Sequence, residues 1–84
     1  MNFETISVIG LGYIGLPTAA MLASRKLRVI GVDVNQLAVD TINQGKIHIV
    51  EPELDLLVHA AVTGGYLSAQ TKAAAADAFM IAVP

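Results

Sequence analysis

Short aliphatic runs alternate with helix-like stretches along this chain of 84 residues. Four runs are rich in β-branched and other aliphatic side chains and are bounded by glycine, proline or polar residues, which is typical of strands covered on both faces. The predicted strands span residues 5–9, 27–32, 66–71 and 78–83. Apolar positions at helical spacing predict helices over residues 13–25, 36–43 and 52–63, with one further helical turn at 73–76.

Capping and breaking residues support these helix boundaries. Pro17 falls in the first turn of the first helix, where its missing N–H costs little. Asn35 is the predicted N-cap of the second helix, and Gly45 is predicted to end it. Pro52 is predicted to be the first residue of the third helix.

The alternation of strands and helices predicts a parallel sheet. Because crossovers between parallel strands are right-handed, the strands are expected in the order 3-2-1-4. We therefore predict an α/β, Rossmann-like parallel sheet truncated after strand 4, with residues 1–84 forming the N-terminal part of one domain. In a complete sheet of this type a fifth strand would cover the fourth, so self-association is expected, either through the unpaired edge or through apolar faces that are normally covered.

Three glycines follow the first strand directly. Gly10, Gly12 and Gly15 form a G-x-G-x-x-G motif between that strand and the first helix. The first glycine allows a tight turn, the second allows close approach of a pyrophosphate, and the third lets the helix pack on the strand. The free N–H groups and partial positive charge of a helix N-terminus attract phosphate. The motif in this context predicts a dinucleotide site, and a purely structural turn is the weaker interpretation.

An acidic residue lies at the position that a dinucleotide site requires. Asp33 ends the second strand, and its carboxylate is expected to accept hydrogen bonds from the adenosine ribose. It would also repel a 2′-phosphate, and Val34 and Asn35 follow it rather than an arginine. The expected cofactor is therefore NAD rather than NADP.

The predicted site is completed by the N–H groups around residues 11–14 and by residues 82–84 at the end of the fourth strand. The Tyr13 ring is expected to lie over the cofactor or against a neighbouring part of the protein. The predicted cofactor-binding residues are Gly10, Leu11, Gly12, Tyr13, Ile14, Gly15, Asp33, Val34 and Val83.

No residue of the chain is assigned a catalytic or metal-binding role. His48 and His59 have no titratable partner at a useful spacing, so surface or packing roles are favoured. Glu51, Glu53 and Asp55 cluster at a predicted helix start, where acidic side chains interact favourably with the helix dipole. A metal site is not expected there.

The composition narrows the class of protein. The chain is 55% hydrophobic and 14% charged, with a net charge of −2. No basic stripe for nucleic acid and no lysine cluster for a membrane surface is present. The chain has no cysteine, no apolar run long enough to span a bilayer and no recognisable signal peptide. We therefore expect a cytoplasmic protein without nucleic-acid or membrane partners.

Residues 10–17, with Tyr13 and the Leu16-Pro17 pair, resemble the nucleotide-sugar dehydrogenases that oxidise UDP-glucose, GDP-mannose and related sugars. The resemblance extends over essentially the whole chain. Its further similarities lie at residues 31–33, 51–52 and 81–84. Within the family, residues 5–17, 39–43 and 47–52 are most similar to the members that oxidise UDP-N-acetyl-D-mannosamine to the uronate.

The resemblance implies oxidation of a sugar C6 alcohol to a carboxylate by two successive hydride transfers to NAD, in a homo-oligomeric enzyme. In the family a cysteine holds the aldehyde while lysine and acidic residues handle protons and water. The resemblance places these groups, the UDP-sugar site and a central dimerisation helix outside this chain, which alone is expected to be inactive. The implied NAD contacts are Tyr13, Ile14 and Asp33, while Ala38 replaces a basic residue of some relatives.

Two other functions remain open on the sequence alone. A regulatory NAD-binding module, as in the gating domains of potassium channels, needs no catalytic residue. A dehydrogenase acting on a hydroxyacyl-CoA or a sugar acid would also carry a glycine motif. The Tyr13 and Leu16-Pro17 signature argues against the regulatory module.

Overall fold

Four parallel strands and three helices make up the structure, a computed structural model that describes residues 5–73 and 75–82. The strands form one sheet in the order β3-β2-β1-β4, all pairs being parallel. The predicted fold class and strand order are confirmed. The elements are β1 (Thr5–Ile9), α1 (Gly15–Ser24), β2 (Arg28–Val32), α2 (Gln36–Asn43), α3 (Leu54–Thr63), β3 (Leu67–Gln70) and β4 (Ala78–Ile81).

The second helix follows the sequence prediction in both of its boundary signals. The Asn35 side chain accepts hydrogen bonds from the N–H groups of Leu37 and Ala38, at 3.0 and 3.3 Å, and so caps α2. Gly45 follows the helix with a φ of 76°, a left-handed conformation that costs glycine little. These local signals are sufficient to fix both ends of α2.

The starts of the other two helices were predicted too early. Helix α1 begins at Gly15 rather than at residue 13, because the glycine loop keeps the preceding residues in a turn. Helix α3 begins at Leu54, so Pro52 is not its first residue. Glu53 has a φ of 67°, a left-handed conformation that an α-helix cannot contain.

The segment before β4 also differs from the prediction. Residues 73, 75 and 76 adopt no helical structure, while residue 74 lies outside the described residues. A single helical turn fixes three residues for one hydrogen bond, so it is not stable without other contacts. Strand β4 ends at Ile81, and the predicted strand residue Val83 lies outside the described residues.

The core lies between one face of the sheet and the three helices. The connections from β1 to β2 and from β2 to β3 run in the same direction across the sheet. Since crossovers between parallel strands are right-handed as a rule, their helices are expected on the same face. In the described part of the chain no helix is long and apolar enough to cross a membrane. The core includes Ile6, Val8, Val29, Leu67 and Ala69 of the sheet, packed against helix residues that include Leu16, Ala19, Ala20, Ile42, Leu54 and Val58.

Candidate cofactor site

A cleft of about 520 Å³ opens at the carboxyl ends of β1, β2 and β4. The glycine loop that follows β1 lines one side, the end of β2 lines the other, and Ala82 lies where β4 ends. This is the point at which the strand order reverses, since the chain continues from β1 to β2 on one side and reaches β4 on the other. Open α/β sheets bind ligands at such switch points.

Gly10 makes the turn out of β1. Its φ is 95°, and its N–H donates to the carbonyl of Val32 at 2.8 Å. A Cβ at this position would overlap the carbonyl oxygen of Ala82. Both the backbone conformation and the close passage of the chain after β4 therefore require glycine.

Gly15 and Gly12 have different reasons to be glycine. A Cβ at Gly15 would overlap the carbonyl oxygen of Gly10, so the first turn of α1 could not lie against the loop. A Cβ at Gly12 would meet no atom within 4 Å, and the φ of Gly12 is not positive. Nothing within the described chain explains a glycine at position 12. The space in front of Gly12 is open, as a bound pyrophosphate requires.

Backbone donors surround this open space. In the described ranges, the N–H groups of Gly12, Tyr13 and Ile14 donate no hydrogen bond. Helix α1 has no side-chain cap and no acidic residue in its first turn, so the partial positive charge of its N-terminus is not neutralised there. This combination of unused donors and positive potential suits an anionic phosphate group.

The N–H of Leu11 does not face the proposed phosphate space, contrary to the prediction from the sequence. This N–H donates to Oδ2 of Asp33 at 2.9 Å. The Leu11 side chain is fully buried, and a Cβ at Gly31 would come within 2.8 Å of its Cδ1. Leu11 therefore ties the glycine loop to the end of β2. This hydrogen bond was not predicted from the sequence, although adjacent parallel strands bring their carboxyl ends together.

Asp33 is half-buried, and its carboxylate accepts hydrogen bonds from two backbone N–H groups. Its Oδ2 accepts from Leu11, and its Oδ1 accepts from the N–H of Asn35 at 2.9 Å. Burial alone raises the pKa of Asp33, but the bonds from Asn35 and Leu11, together with the charge of His48, outweigh burial and lower the pKa below 3.8. The carboxylate is thus ionised at neutral pH, and its remaining lone pairs can accept further hydrogen bonds.

Several residues near the cleft were not foreseen from the sequence. Ile9 and Val32 line it because they are the last residues of β1 and β2. His48 is exposed, as expected, yet it lies near enough to Asp33 for its charge to lower the Asp33 pKa. His59 lies against Gly45, where it packs α3 onto the end of α2.

Most of the predicted cofactor residues meet in this one cleft. Gly15 lies beneath the loop rather than in the lining, and Val83 lies outside the described residues, next to Ala82. The side chains of Tyr13 and Ile14 are exposed at its entrance. The predicted residues in the lining are Gly10, Leu11, Gly12, Tyr13, Ile14, Asp33 and Val34.

Known proteins resemble this chain in both sequence and structure. The NAD-binding domain of the UDP-glucose/GDP-mannose dehydrogenase family matches residues 4–84. A UDP-N-acetyl-D-mannosamine dehydrogenase of Yersinia pestis is 75% identical over the whole chain, which spans 20% of that protein. An NDP-N-acetyl-D-galactosaminuronic acid dehydrogenase of Ralstonia nicotianae is 71% identical over the whole chain, which again spans 20% of the relative. The chain therefore corresponds to about a fifth of the length of these relatives.

Solved structures agree with this assignment. The UDP-N-acetyl-mannosamine dehydrogenase of Staphylococcus aureus superposes with a TM-score of 0.91 at 44% identity, covering 95% of this chain and 19% of the other. A ternary complex of GDP-mannose dehydrogenase from Pseudomonas aeruginosa gives a TM-score of 0.90 at 42% identity, covering 94% and 19%. The resemblance carried by residues 10–17 is confirmed, as is NAD as the cofactor. This chain belongs to the UDP-glucose/GDP-mannose dehydrogenase family and corresponds to its NAD-binding domain.

Proposed function

We propose that this chain holds NAD in the cleft between β1, β2 and β4 and is the cofactor-binding part of a nucleotide-sugar dehydrogenase. One observation carries the proposal: the open space at Gly12 has unused N–H donors on one side and the ionised Asp33 on the other. These groups match the pyrophosphate and the adenosine ribose of a dinucleotide. When bound, NAD supplies the acceptor for a hydride.

Each part of the cofactor has a partner in this arrangement. The N–H groups of Gly12, Tyr13 and Ile14 hold the pyrophosphate at the N-terminus of α1. Asp33 accepts hydrogen bonds from the ribose hydroxyls, while its exposed neighbour Val34 packs against the adenine. The nicotinamide half would then lie on the side of the cleft that Ala82 lines.

Asp33 also sets the choice between NAD and NADP. The ionised carboxylate of Asp33 would lie beside the 2′-phosphate of NADP, and the two negative charges would repel each other. Its own two donors, Leu11 and Asn35, hold the carboxylate in place, so it cannot easily move aside. NAD is therefore favoured by electrostatics and by the rigidity of the acceptor.

For the whole protein we propose oxidation of UDP-N-acetyl-D-mannosamine to the corresponding uronate, with two NAD reduced in each reaction. Relatives from Yersinia pestis and Escherichia coli that carry this activity in their names are 75% and 68% identical to the chain. A relative named for another N-acetylated sugar acid is 71% identical, so the proposed sugar rests on a small difference in sequence identity between relatives. We further propose a cytoplasmic homo-oligomer with the UDP-sugar site outside these 84 residues.

The chain by itself is proposed to bind NAD and catalyse nothing. It contains no cysteine, whereas the family's reaction uses one. Hydride transfer also needs the reacting carbon and the nicotinamide to be held in register, which demands a sugar site as well as a cofactor site.

Calorimetric titration of the 84-residue chain with NAD and with NADP tests the cofactor proposal. We expect NAD to bind and NADP to bind at least about tenfold more weakly, a difference of about 1.4 kcal/mol. In Asp33→Asn this preference should disappear, whereas the charge-matched Asp55→Asn, on α3, should retain it. Equal affinity of the unaltered chain for both dinucleotides would refute the role of Asp33.

The substrate proposal needs a separate assay. The assay uses the full-length protein that contains this chain. It is supplied with NAD and, in separate reactions, with UDP-N-acetyl-D-mannosamine, UDP-glucose or GDP-mannose. Reduced NAD is followed by absorbance. We expect turnover with the first sugar, at two NADH for each uronate formed. Faster turnover of UDP-glucose or GDP-mannose would contradict the proposed substrate and leave the NAD site unaffected.

A further inference from the structure

Gly31 does not line the cofactor cleft, and its own backbone does not require glycine. The residue is buried within β2, and its φ is not positive. Glycine inside a strand weakens it, because glycine loses much conformational freedom on folding and offers no side chain to pack. Such a glycine often marks a place where another group comes close to the strand.

The group that comes close to Gly31 is the side chain of Leu11. A Cβ at Gly31 would lie 2.8 Å from Cδ1, 2.9 Å from Cδ2 and 3.4 Å from Cγ of Leu11. Gly31 is in register with Val8 of β1 and Ala69 of β3, which are both core residues. Leu11 is fully buried and belongs to the same core. The Leu11 side chain therefore fills the space that a side chain at position 31 would take.

The glycine loop is fixed to the end of β2 at the same place. The N–H of Gly10 donates to the carbonyl of Val32 at 2.8 Å, and the N–H of Leu11 donates to Oδ2 of Asp33 at 2.9 Å. The N–H groups that have no partner among the described residues follow directly, starting at Gly12. The position of the Leu11 backbone therefore sets the position of the first of these donors.

We propose that Gly31 is a positioning residue for the cofactor. It leaves space for Leu11, and Leu11 in turn holds the phosphate-binding N–H groups in place. The inference rests on the proposed NAD site. Donors that are ordered before binding lose less conformational entropy when the ligand binds, so they favour affinity. Gly31 thus contributes to NAD affinity although it does not line the cleft.

A methyl group at position 31 requires more than a small adjustment of Leu11. Rotation about the Cβ–Cγ bond of Leu11 only exchanges one Cδ for the other, and both lie too close. Because Leu11 is fully buried in a close-packed core, its whole side chain has to move, and its backbone moves with it. The Leu11 N–H then leaves Asp33, and the donors that follow are displaced from the proposed pyrophosphate.

Calorimetric titration of the chain with NAD tests the inference. Gly31→Ala is expected to lower the NAD affinity about tenfold or more, as the loss of one hydrogen bond to a charged group does. Ala61→Val is the control, because it also adds bulk at a buried position, on α3 and outside the cleft. It should lower the stability in urea unfolding and leave the affinity unchanged. A folded Gly31→Ala variant with unaltered affinity, or an equal loss of affinity in both variants, would overturn the inference.

The same substitution in a Leu11→Ala background gives a test even if Gly31→Ala alone does not fold. Leu11→Ala removes the three atoms nearest to the added Cβ. In this background Gly31→Ala should lower neither the affinity nor the stability, because the methyl group enters vacated space and restricts the unfolded chain. A loss of the same size in both backgrounds would show that Gly31 does not act through Leu11.

Amide hydrogen exchange without NAD separates this inference from the proposed function. The Leu11 N–H of the unaltered chain should exchange slowly in NMR spectra, because it is bonded to Asp33. In Gly31→Ala it should exchange at least about tenfold faster, relative to the Val29 N–H that donates to the carbonyl of Tyr66. Unchanged protection of Leu11 would refute the positioning role. Failure of the unaltered chain to bind NAD would instead refute the proposed site, whatever the exchange of Leu11.

Discussion

Gly12→Ala separates the binding of NAD from the stability of the fold. A Cβ at position 12 would meet no atom within 4 Å, and the φ of Gly12 is not positive. Alanine is therefore accommodated without strain, and because it restricts the unfolded chain it should stabilise the fold by about 0.4–1 kcal/mol. The same methyl group occupies the space proposed for the pyrophosphate.

The loss of affinity can be estimated from the donors that the methyl group would displace. A hydrogen bond to a charged group contributes about 1.5–3 kcal/mol. If the pyrophosphate moves away from one N–H donor, NAD affinity should fall about 10- to 100-fold, at about 1.4 kcal/mol for each factor of ten. The variant should therefore be at least as stable as the unaltered chain and bind NAD much more weakly.

Two measurements on the same samples provide the test. Urea unfolding followed by circular dichroism gives the stability, and calorimetric titration gives the NAD affinity. Gly64→Ala makes the same chemical change at the end of α3, remote from the cleft, and should leave the affinity unchanged. Gly12→Ala binding NAD as tightly as the unaltered chain would show that the pyrophosphate does not lie against this loop.

Three further substitutions test separate parts of the structure. Gly15→Ala should destabilise the fold by about 2–3 kcal/mol in urea unfolding, because its Cβ would overlap the carbonyl oxygen of Gly10; a stable variant would contradict the close approach of α1. Because the folded-state pKa of Asp33 is lowered, the stability from its carboxylate is present above pH 3.8 and lost as pH falls through the folded-state value. The difference in unfolding free energy between the unaltered chain and Asp33→Asn should therefore shrink as the pH falls below 3.8, and a constant difference would argue against the two backbone bonds. Ile42→Val, at a fully buried position, should cost about 1 kcal/mol, and no change would mean that the α2 contact is loosely packed.

Local signals carried much of the fold prediction, and their failures have a common cause. Asn35 and Gly45 bounded α2 correctly because a cap and a left-handed glycine act within a few residues. The predicted start of α3 was wrong because Pro52 is compatible both with a first helical turn and with the non-helical turn that precedes Leu54. Only packing of the following residues against the core decides between them.

The sequence by itself determined the strand order, the glycine turn and the presence of an acid at the end of β2. Periodicity, glycine spacing and the handedness of crossovers are properties of a chain that can be counted along its length. The tertiary structure alone decided that Leu11 donates to Asp33, that His48 lies near the same carboxylate, and that the Asn43 side chain pairs with the backbone of Ala69 in β3. These contacts join residues far apart in the sequence, and their geometry exists only after the strands have paired.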